Sequence, residues 1–202
     1  WAAPWTGQKT GAFLDQREHR MRIGAIVPSG GTALDCFSYH GSFALHLAGH
    51  ASQVTALDVS GPALERGREN ASLNARDNIE FVEADAFEQL PEWAREGRRF
   101  DVVVVDPPAF AKSRNHLPAA IRGYREINRR AMALVAPGGH LLTASCSWHL
   151  RWPHFSEVVA EAAGDAGRRI TLIERLGQPA DHPEVVTIPE TGYLKGLILR
   201  AD

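Results

Sequence analysis

A chain of 202 residues with an ordinary share of apolar side chains is long enough for one domain with a sizeable core. Lys and Arg total 22 against 24 Asp and Glu, a net charge of −2, so this is not a polycation built to coat nucleic acid through its phosphates. Any nucleic-acid contact must rest on a local basic patch or on a neighbouring domain. No apolar run approaches the length of a membrane span and no signal-peptide pattern opens the chain, so no membrane partner is expected. The two cysteines, Cys36 and Cys146, are too few for a disulfide framework and lack the spacing of a zinc site. They predict a reducing, cytoplasmic setting. The first residue is Trp1, not Met, which predicts a fragment, in which a missing N-terminal domain would not be seen.

Apolar β-rich runs alternate with amphipathic stretches, the pattern of an α/β domain with a parallel sheet. A short extended segment is expected at 12–14 and a helix at 16–26 that stops before Pro28. Ser29-Gly30-Gly31 is a turn. The first strand is expected at 33–37, followed by a helix at 41–48. A second strand at 53–57 leads to Ser60, an N-cap for a helix running to 74. A third strand at 79–83 precedes a short helix at 87–95 that Pro91 breaks. The fourth strand, 100–105, is nearly pure valine and reads as a central strand buried on both faces. In a long helix at 118–135, Ile121, Tyr124, Ile127, Ala131, Leu134 and Val135 fall at helical spacing. Pro137-Gly138-Gly139 ends it. A strand at 140–144, a helix at 155–166, a strand at 169–174, a connecting loop at 177–190 and a last strand at 193–199 follow. The expected organisation is one domain: an N-terminal segment and helix over 1–28, then a Rossmann-like core over 29–202.

In open parallel sheets, ligands bind beyond the carboxyl ends of the strands. The first strand ends in Asp35-Cys36-Phe37-Ser38-Tyr39-His40-Gly41. Its small and polar residues, with Gly41 opening a helix, let backbone amides approach a ligand. An ordinary strand-to-helix turn reads the same way. The loop is not Gly-x-Gly-x-x-Gly, which argues against a dinucleotide. Asp58, at the second strand end, suits a ribose diol or the N-terminal dipole of the next helix. Asp85, at the third, suits the exocyclic amine of an adenine or an N-cap. With Asp106 at the fourth, these acids together describe a nucleoside-shaped cleft.

The prolines of Asp106-Pro107-Pro108-Ala109-Phe110 halt the strand, and Phe110 can stack on a flipped base or pack in the core. Cys146, in Thr143-Ala144-Ser145-Cys146-Ser147, lies at the mouth of the same cleft as either a packed thiol or a nucleophile. Lys112, Arg114, Arg122, Arg125, Arg129 and Arg130 are opposed in sequence only by Glu126. They form a phosphate-binding border or a solvated helix face. His46 and His50 share a helix face without a third ligand nearby, so no metal site is expected.

Lys9-Thr10-Gly11, Phe13-Leu14-Asp15-Gln16-Arg17 and Arg20 resemble the N-terminal motif of the bacterial large-subunit ribosomal RNA cytosine-5 methyltransferases. So do Cys36-Phe37-Ser38-Tyr39, Asp106-Pro107-Pro108-Ala109-Phe110, Arg122-Gly123-Tyr124 and Pro137-Gly138-Gly139. The same holds for Ser145-Cys146-Ser147, Asp181-His182-Pro183 and Tyr193-Leu194-Lys195-Gly196. The resemblance spans nearly the whole chain. It implies a Rossmann-like class I methyltransferase: a seven-stranded, mostly parallel sheet with helices on both faces and its last strand antiparallel. It also implies S-adenosyl-L-methionine in the cleft, with Asp58 on the ribose and Asp85 and Ala86 at the adenine. Gln16 and Arg17 would help enclose the methionine part. Asp35, Phe37, Ser38, Tyr39, Gly41, Ser60, Asp106 and Pro107 are expected to complete the cofactor pocket. Where the family has Thr-Gly-Gly, this chain has His40-Gly41-Ser42.

Carbon 5 of cytosine is a poor nucleophile until a thiolate adds to carbon 6, the role implied for Cys146. Asp106 would position the cofactor or the base. Ala109 replaces the second cysteine of related enzymes and excludes a two-cysteine mechanism. Phe110, Lys112, Arg114, Arg122 and Arg125 are the expected substrate contacts. Lys195 reads as a substrate-orienting residue or a surface lysine. Ribosomal RNA is the implied partner, gripped with the help of a PUA-type RNA-binding domain outside this chain. A homodimer is left open. Two rivals remain: an enzyme methylating a nucleobase nitrogen, which needs no cysteine, and a non-catalytic module binding cofactor or RNA.

Overall fold

Four consecutive valines give β4 (Phe100–Val105) no polar face to turn to water, and the computed structural model buries it on both sides. The structure describes residues 2, 11–111 and 114–202, the side chain of Arg114 excepted. Val103 and Val105 pack into one core with Leu34, Cys36 and Leu141. Val102 and Val104 face the opposite core with Ala33, Val54 and Leu142. The alternation is the two-residue period of a strand, and a strand covered on both faces belongs in a parallel sheet flanked by helices.

β1 (Thr32–Cys36), β2 (Gln53–Asp58), β3 (Ile79–Glu83), β5 (Val135–Ser145), β6 (Ile170–Leu176) and β7 (Lys195–Ala201) complete a seven-stranded sheet. Its order is β3-β2-β1-β4-β5-β7-β6. The first five strands pair in parallel, and β7 runs antiparallel between β5 and β6. α1 (Arg17–Gly24) and α2 (Ser42–Leu47) bury Ile23, Phe43 and Leu47 on one face, with α3 (Gly61–Leu73) beside α2. α4 (Ala86–Arg95), α5 (Leu117–Met132) and α6 (Trp152–Asp165) bury Leu90, Ile127 and Phe155 on the other. This is the Rossmann-like α/β class with helices on both faces.

Some boundaries differ from the sequence reading, each for a local reason. Residues 12–14 are not extended: Phe13 is left-handed and Leu14–Gln16 form a 3-10 turn into α1. β1 stops at Cys36 because Phe37 leaves the strand with φ 62°. Pro91 does not break α4; the helix runs through it, held by the buried face of Ala86, Leu90 and Trp93. Pro153 falls in the first turn of α6, where a missing N–H costs least, and the helix starts at Trp152. β6 and β7 run on to Leu176 and Ala201 because they pair with each other to those points. β5 starts at Val135 rather than at 140. Val135 pairs with Phe100, and a bulge then shifts the register so that His140 faces Val102.

Gly139 sits in that bulge. A Cβ there would lie 2.8 Å from the Asp101 carbonyl oxygen and 2.9 Å from that of Ala136. Backbone oxygens cannot yield as a side chain would. Gly139→Ala is therefore expected to destabilise the domain by about 1–3 kcal/mol, read as a lowered midpoint in urea unfolding.

Candidate active site

The parallel sheet brings the ends of β1, β2, β3 and β4 to one edge. Asp35, in β1, is fully buried and its Oδ2 accepts the Ala44 amide at 2.8 Å, fastening α2 to the strand. Burial raises its carboxyl pKa well above the usual range, with Asp106 and Asp58 adding to the effect. The following loop is tightly wound: Phe37, Tyr39 and Gly41 all have positive φ. For the two aromatic residues that conformation costs about 1–3 kcal/mol each, and such strain collects at functional loops. Asp58 steadies the winding. Its Oδ2 accepts the Tyr39 amide and its Oδ1 the Ser60 amide, both at 2.9 Å. Ser60 caps α3 through Ala63, and Asp85 caps α4 through Phe87 at 2.7 Å. The capping roles open to Ser60 and Asp85 in the sequence are thus realised.

The N-terminal segment closes over this edge. Gln16 Nε2 donates to Asp106 Oδ1 at 2.8 Å, across 90 residues of chain. The Phe13 ring stands edge-on to Tyr39, with centroids 5.5 Å apart. Tyr193 donates its hydroxyl to Asp15 Oδ2 at 2.8 Å. Arg20 is buried, donates to the Phe13 carbonyl, and lies in the field of Asp106, Asp15 and Asp35. Arg17, expected at the cofactor, instead turns outward and pairs with Asp181 at 2.6 Å. That pair, with His182, pulls the Asp181 pKa down to about 2 and ties the 177–190 loop to α1.

Buried atoms along this edge without a hydrogen-bond partner among the described residues include Gln16 Oε1, Arg20 Nε, Asp35 Oδ1 and Ser38 Oγ. Buried polar atoms are normally satisfied, so the set points to a missing ligand. It combines acceptors and donors, anionic and cationic. That fits an amino-acid end bearing both an ammonium and a carboxylate, as the methionine part of S-adenosylmethionine does. Arg20 stood in a quoted motif but was given no cofactor role; its burial among three carboxylates was not visible from spacing.

Cys146 follows β5 directly and is partly exposed, whereas Cys36 is buried and its pKa is raised by desolvation. Hydroxyls surround the Cys146 segment. Ser145 Oγ donates to the Tyr124 hydroxyl at 3.0 Å, and Tyr124 and Ser147 are 3.3 Å apart. Lys195, read as a possible surface residue, is buried beside them, with Nζ donating to the carbonyls of Ser147 and Tyr193. Pro107 is buried at the Asp106 turn. Phe110 packs 4.8 Å from the Tyr124 ring and against Phe87, on the core side, and stays partly exposed.

The basic stretch is corrected more sharply. Its arginines are not opposed by Glu126 alone: Arg125 also meets Asp165 at 2.6 Å and Glu161 at 2.9 Å, both from α6. Arg129 and Arg130 share Glu126. Among the described residues Arg122 has no carboxylate partner. Lys112 and the Arg114 side chain lie outside the described residues. No group of metal-binding residues occurs among the described residues.

His19 packs behind the site, with Nε2 at 3.0 Å from the Gly177 carbonyl. Burial lowers its pKa from 6.5 to about 4, so the folded state holds it neutral. The unfolded chain binds that proton more readily. Stability is therefore full above pH 6.5 and declines as pH falls through 6.5 towards about 4. Urea midpoints at pH 7 and pH 5 are expected to differ less in His19→Gln than in the parent.

Comparison with known proteins agrees with this geometry. The profile of a family described as S-adenosylmethionine-dependent methyltransferases matches residues 5–200. A ribosomal RNA large subunit methyltransferase I from Aeromonas salmonicida is 46% identical over 198 residues, covering 96% of this chain and 50% of the relative. The Photobacterium profundum protein of the same name is 49% identical over 193 residues, covering 94% and 48%. This chain thus spans about half the length of the curated relatives it matches. Among solved structures, a Streptococcus mutans protein described as a SAM-dependent methyltransferase superposes with a TM-score of 0.84 at 23% identity, over 96% of this chain and 50% of that one. By the extent of the family match and the identity to these relatives, the chain belongs to the S-adenosylmethionine-dependent methyltransferase family.

Proposed function

We propose that this domain methylates carbon 5 of a cytosine in large-subunit ribosomal RNA, with Cys146 as the nucleophile. The observation that carries the reading is the setting of Cys146: a partly exposed thiol at the carboxyl end of β5, in a shell of hydroxyls and one buried amine. The names of the 46–49% identical relatives support the RNA class. The bound cofactor supplies an electrophilic methyl group on a sulfonium sulfur. Asp58 would hold the ribose, Asp85 and Ala86 the adenine, and Gln16, Arg20, Asp35 and Ser38 the amino-acid end. The Cys146 thiolate adds to carbon 6 of the base, and the ring electrons thereby make carbon 5 nucleophilic. After carbon 5 is methylated, its proton leaves and the carbon–sulfur bond breaks, restoring the aromatic ring and the thiolate. Asp106, held by Gln16, would orient the base or cofactor. With Arg125, Arg129 and Arg130 engaged in ion pairs, the phosphate grip falls to Arg122, to Lys112 and Arg114, and to a further RNA-binding domain.

Two measurements test this. Asp58→Ala is expected to weaken S-adenosylhomocysteine binding by about 1–3 kcal/mol in calorimetry, the loss of a charge-assisted contact. Undiminished affinity would remove Asp58 from the cofactor site. RNA carrying 5-fluorocytidine at the target is expected to trap covalently on the parent enzyme but not on Cys146→Ala, because fluorine cannot leave as a proton. The substitution should abolish turnover and spare cofactor binding. A fully active Cys146→Ala enzyme would instead favour methylation of a base nitrogen.

A further inference from the structure

Lys195 is a buried cation with no carboxylate ion pair among the described residues. The residue is 2% exposed, and its Nζ donates to the carbonyls of Tyr193 at 2.6 Å and Ser147 at 3.0 Å. Neither partner is a carboxylate. Holding an ammonium in such a place is costly, and an apolar side chain would fill the strand more cheaply. In the β5–β7 ladder Lys195 lies opposite Ser145, yet its ammonium reaches the carbonyl of Ser147. The side chain therefore runs alongside the short stretch that has Cys146 at its middle. Of the charged groups that act on Lys195, Cys146 has the largest effect, ahead of Arg151 and Glu184, which oppose each other.

Apart from Arg151 and Glu184, the titratable groups facing this pair are uncharged in the neutral range. Burial pushes the Tyr124 pKa up to about 12, and Tyr193 is raised by burial and by its bond to Asp15. His19, which packs against Gly196 next along β7, is kept neutral by its burial. Arg151 is drawn over the Trp148 ring, 3.2 Å from its centroid.

We propose that Lys195 is a positioning residue for Cys146: its ammonium holds the thiol as a thiolate, ready to add to a pyrimidine. The Sγ–H bond ionises, the proton passes to solvent, the electron pair stays on sulfur, and Lys195 keeps its own proton. No redox partner is required. Thiolates next to a lysine ionise below the ordinary thiol range. Burial lowers the Lys195 pKa to about 8, so the counter-ion is present at neutral pH and fades as pH rises past that value. A pyrimidine would reach the pair from the side of a cleft of about 330 Å³ that Lys195 lines together with Arg151, Trp152 and Val185.

The proposal rests on Cys146 being the nucleophile, but its test reads the thiol itself. The rate of Cys146 alkylation by iodoacetamide is followed by peptide mass spectrometry from about pH 5.5 to 9.5, on the chain as it stands. Cys36 is buried and is mapped separately. The parent is expected to reach half its maximal rate below the ordinary thiol range. Lys195→Met should move that midpoint upward and slow alkylation at pH 7 by about tenfold. Lys195→Arg keeps a cation and should keep a low midpoint. Structural loosening alone would change the rate at every pH without moving the midpoint. An ordinary midpoint in the parent, or an unmoved one in Lys195→Met, overturns the proposal; the parent result decides even if a variant fails to fold. Covalent trapping by 5-fluorocytidine RNA with an ordinary midpoint would refute the role of Lys195 alone. A depressed midpoint with no trapping would refute the nucleophile reading alone.

Discussion

The double-sided burial of β4 is the constraint from which the rest follows. A strand with apolar side chains on both faces must lie between two helical layers. A connection that runs back over one of those layers returns the chain to the edge where the last strand began, so the next strand is parallel and both end at the same edge. Asp35, Asp58 and Asp106 therefore come within electrostatic reach of one another although they are spread over about seventy positions of chain, and Asp85 follows β3 at the same edge. No one of them is informative alone. Their common edge gives the site its acidic lining, and the Gln16–Asp106 hydrogen bond helps bring the turn before α1 across it.

Charge is arranged in two different ways in this domain. On the α5–α6 side it is neutralised on the surface. Arg125 joins the two helices through Asp165 and Glu161, and Glu126 is pulled down to about 2 by Arg129 and Arg130. Exposed pairs of this kind contribute little to stability, but they do remove cations from the pool available to phosphate. Around the β5–β7 ends, by contrast, polar groups are buried and mutually hydrogen-bonded. Tyr124, Ser145 and Ser147 form one network and Lys195 joins it through Ser147. In a low-dielectric setting such a network tunes its members strongly, which suits chemistry better than adhesion. The antiparallel β7 makes this possible. It returns Lys195 to the carboxyl end of β5, where a parallel strand would have presented its other end.

Most of the secondary structure was legible in the sequence because its signals are local. The valine run, the helical spacing of Tyr124, Ile127 and Ala131, and the Ser60 cap each depend on residues within a few positions. The misplaced boundaries share a cause as well. Val135 joined the sheet early because Phe100 offers it a partner, and the left-handed Phe13 and Phe37 take a conformation that composition does not announce. Pro91 stays in its helix because a buried face outweighs one missing hydrogen bond.

The candidate site divides along the same line. Strand-end acids and the cysteine after β5 could be named from sequence, since a parallel α/β pattern fixes which end of each strand carries ligands. Partnership could not be named, because it joins residues far apart in the chain. Only the tertiary structure committed Arg17 to Asp181 and Arg125 to α6, left Arg20 buried among carboxylates, and buried Lys195 against the carbonyl that follows Cys146. Periodicity determines which face of an element is buried; which charges then meet across that burial is settled by packing, through contacts that no local pattern encodes.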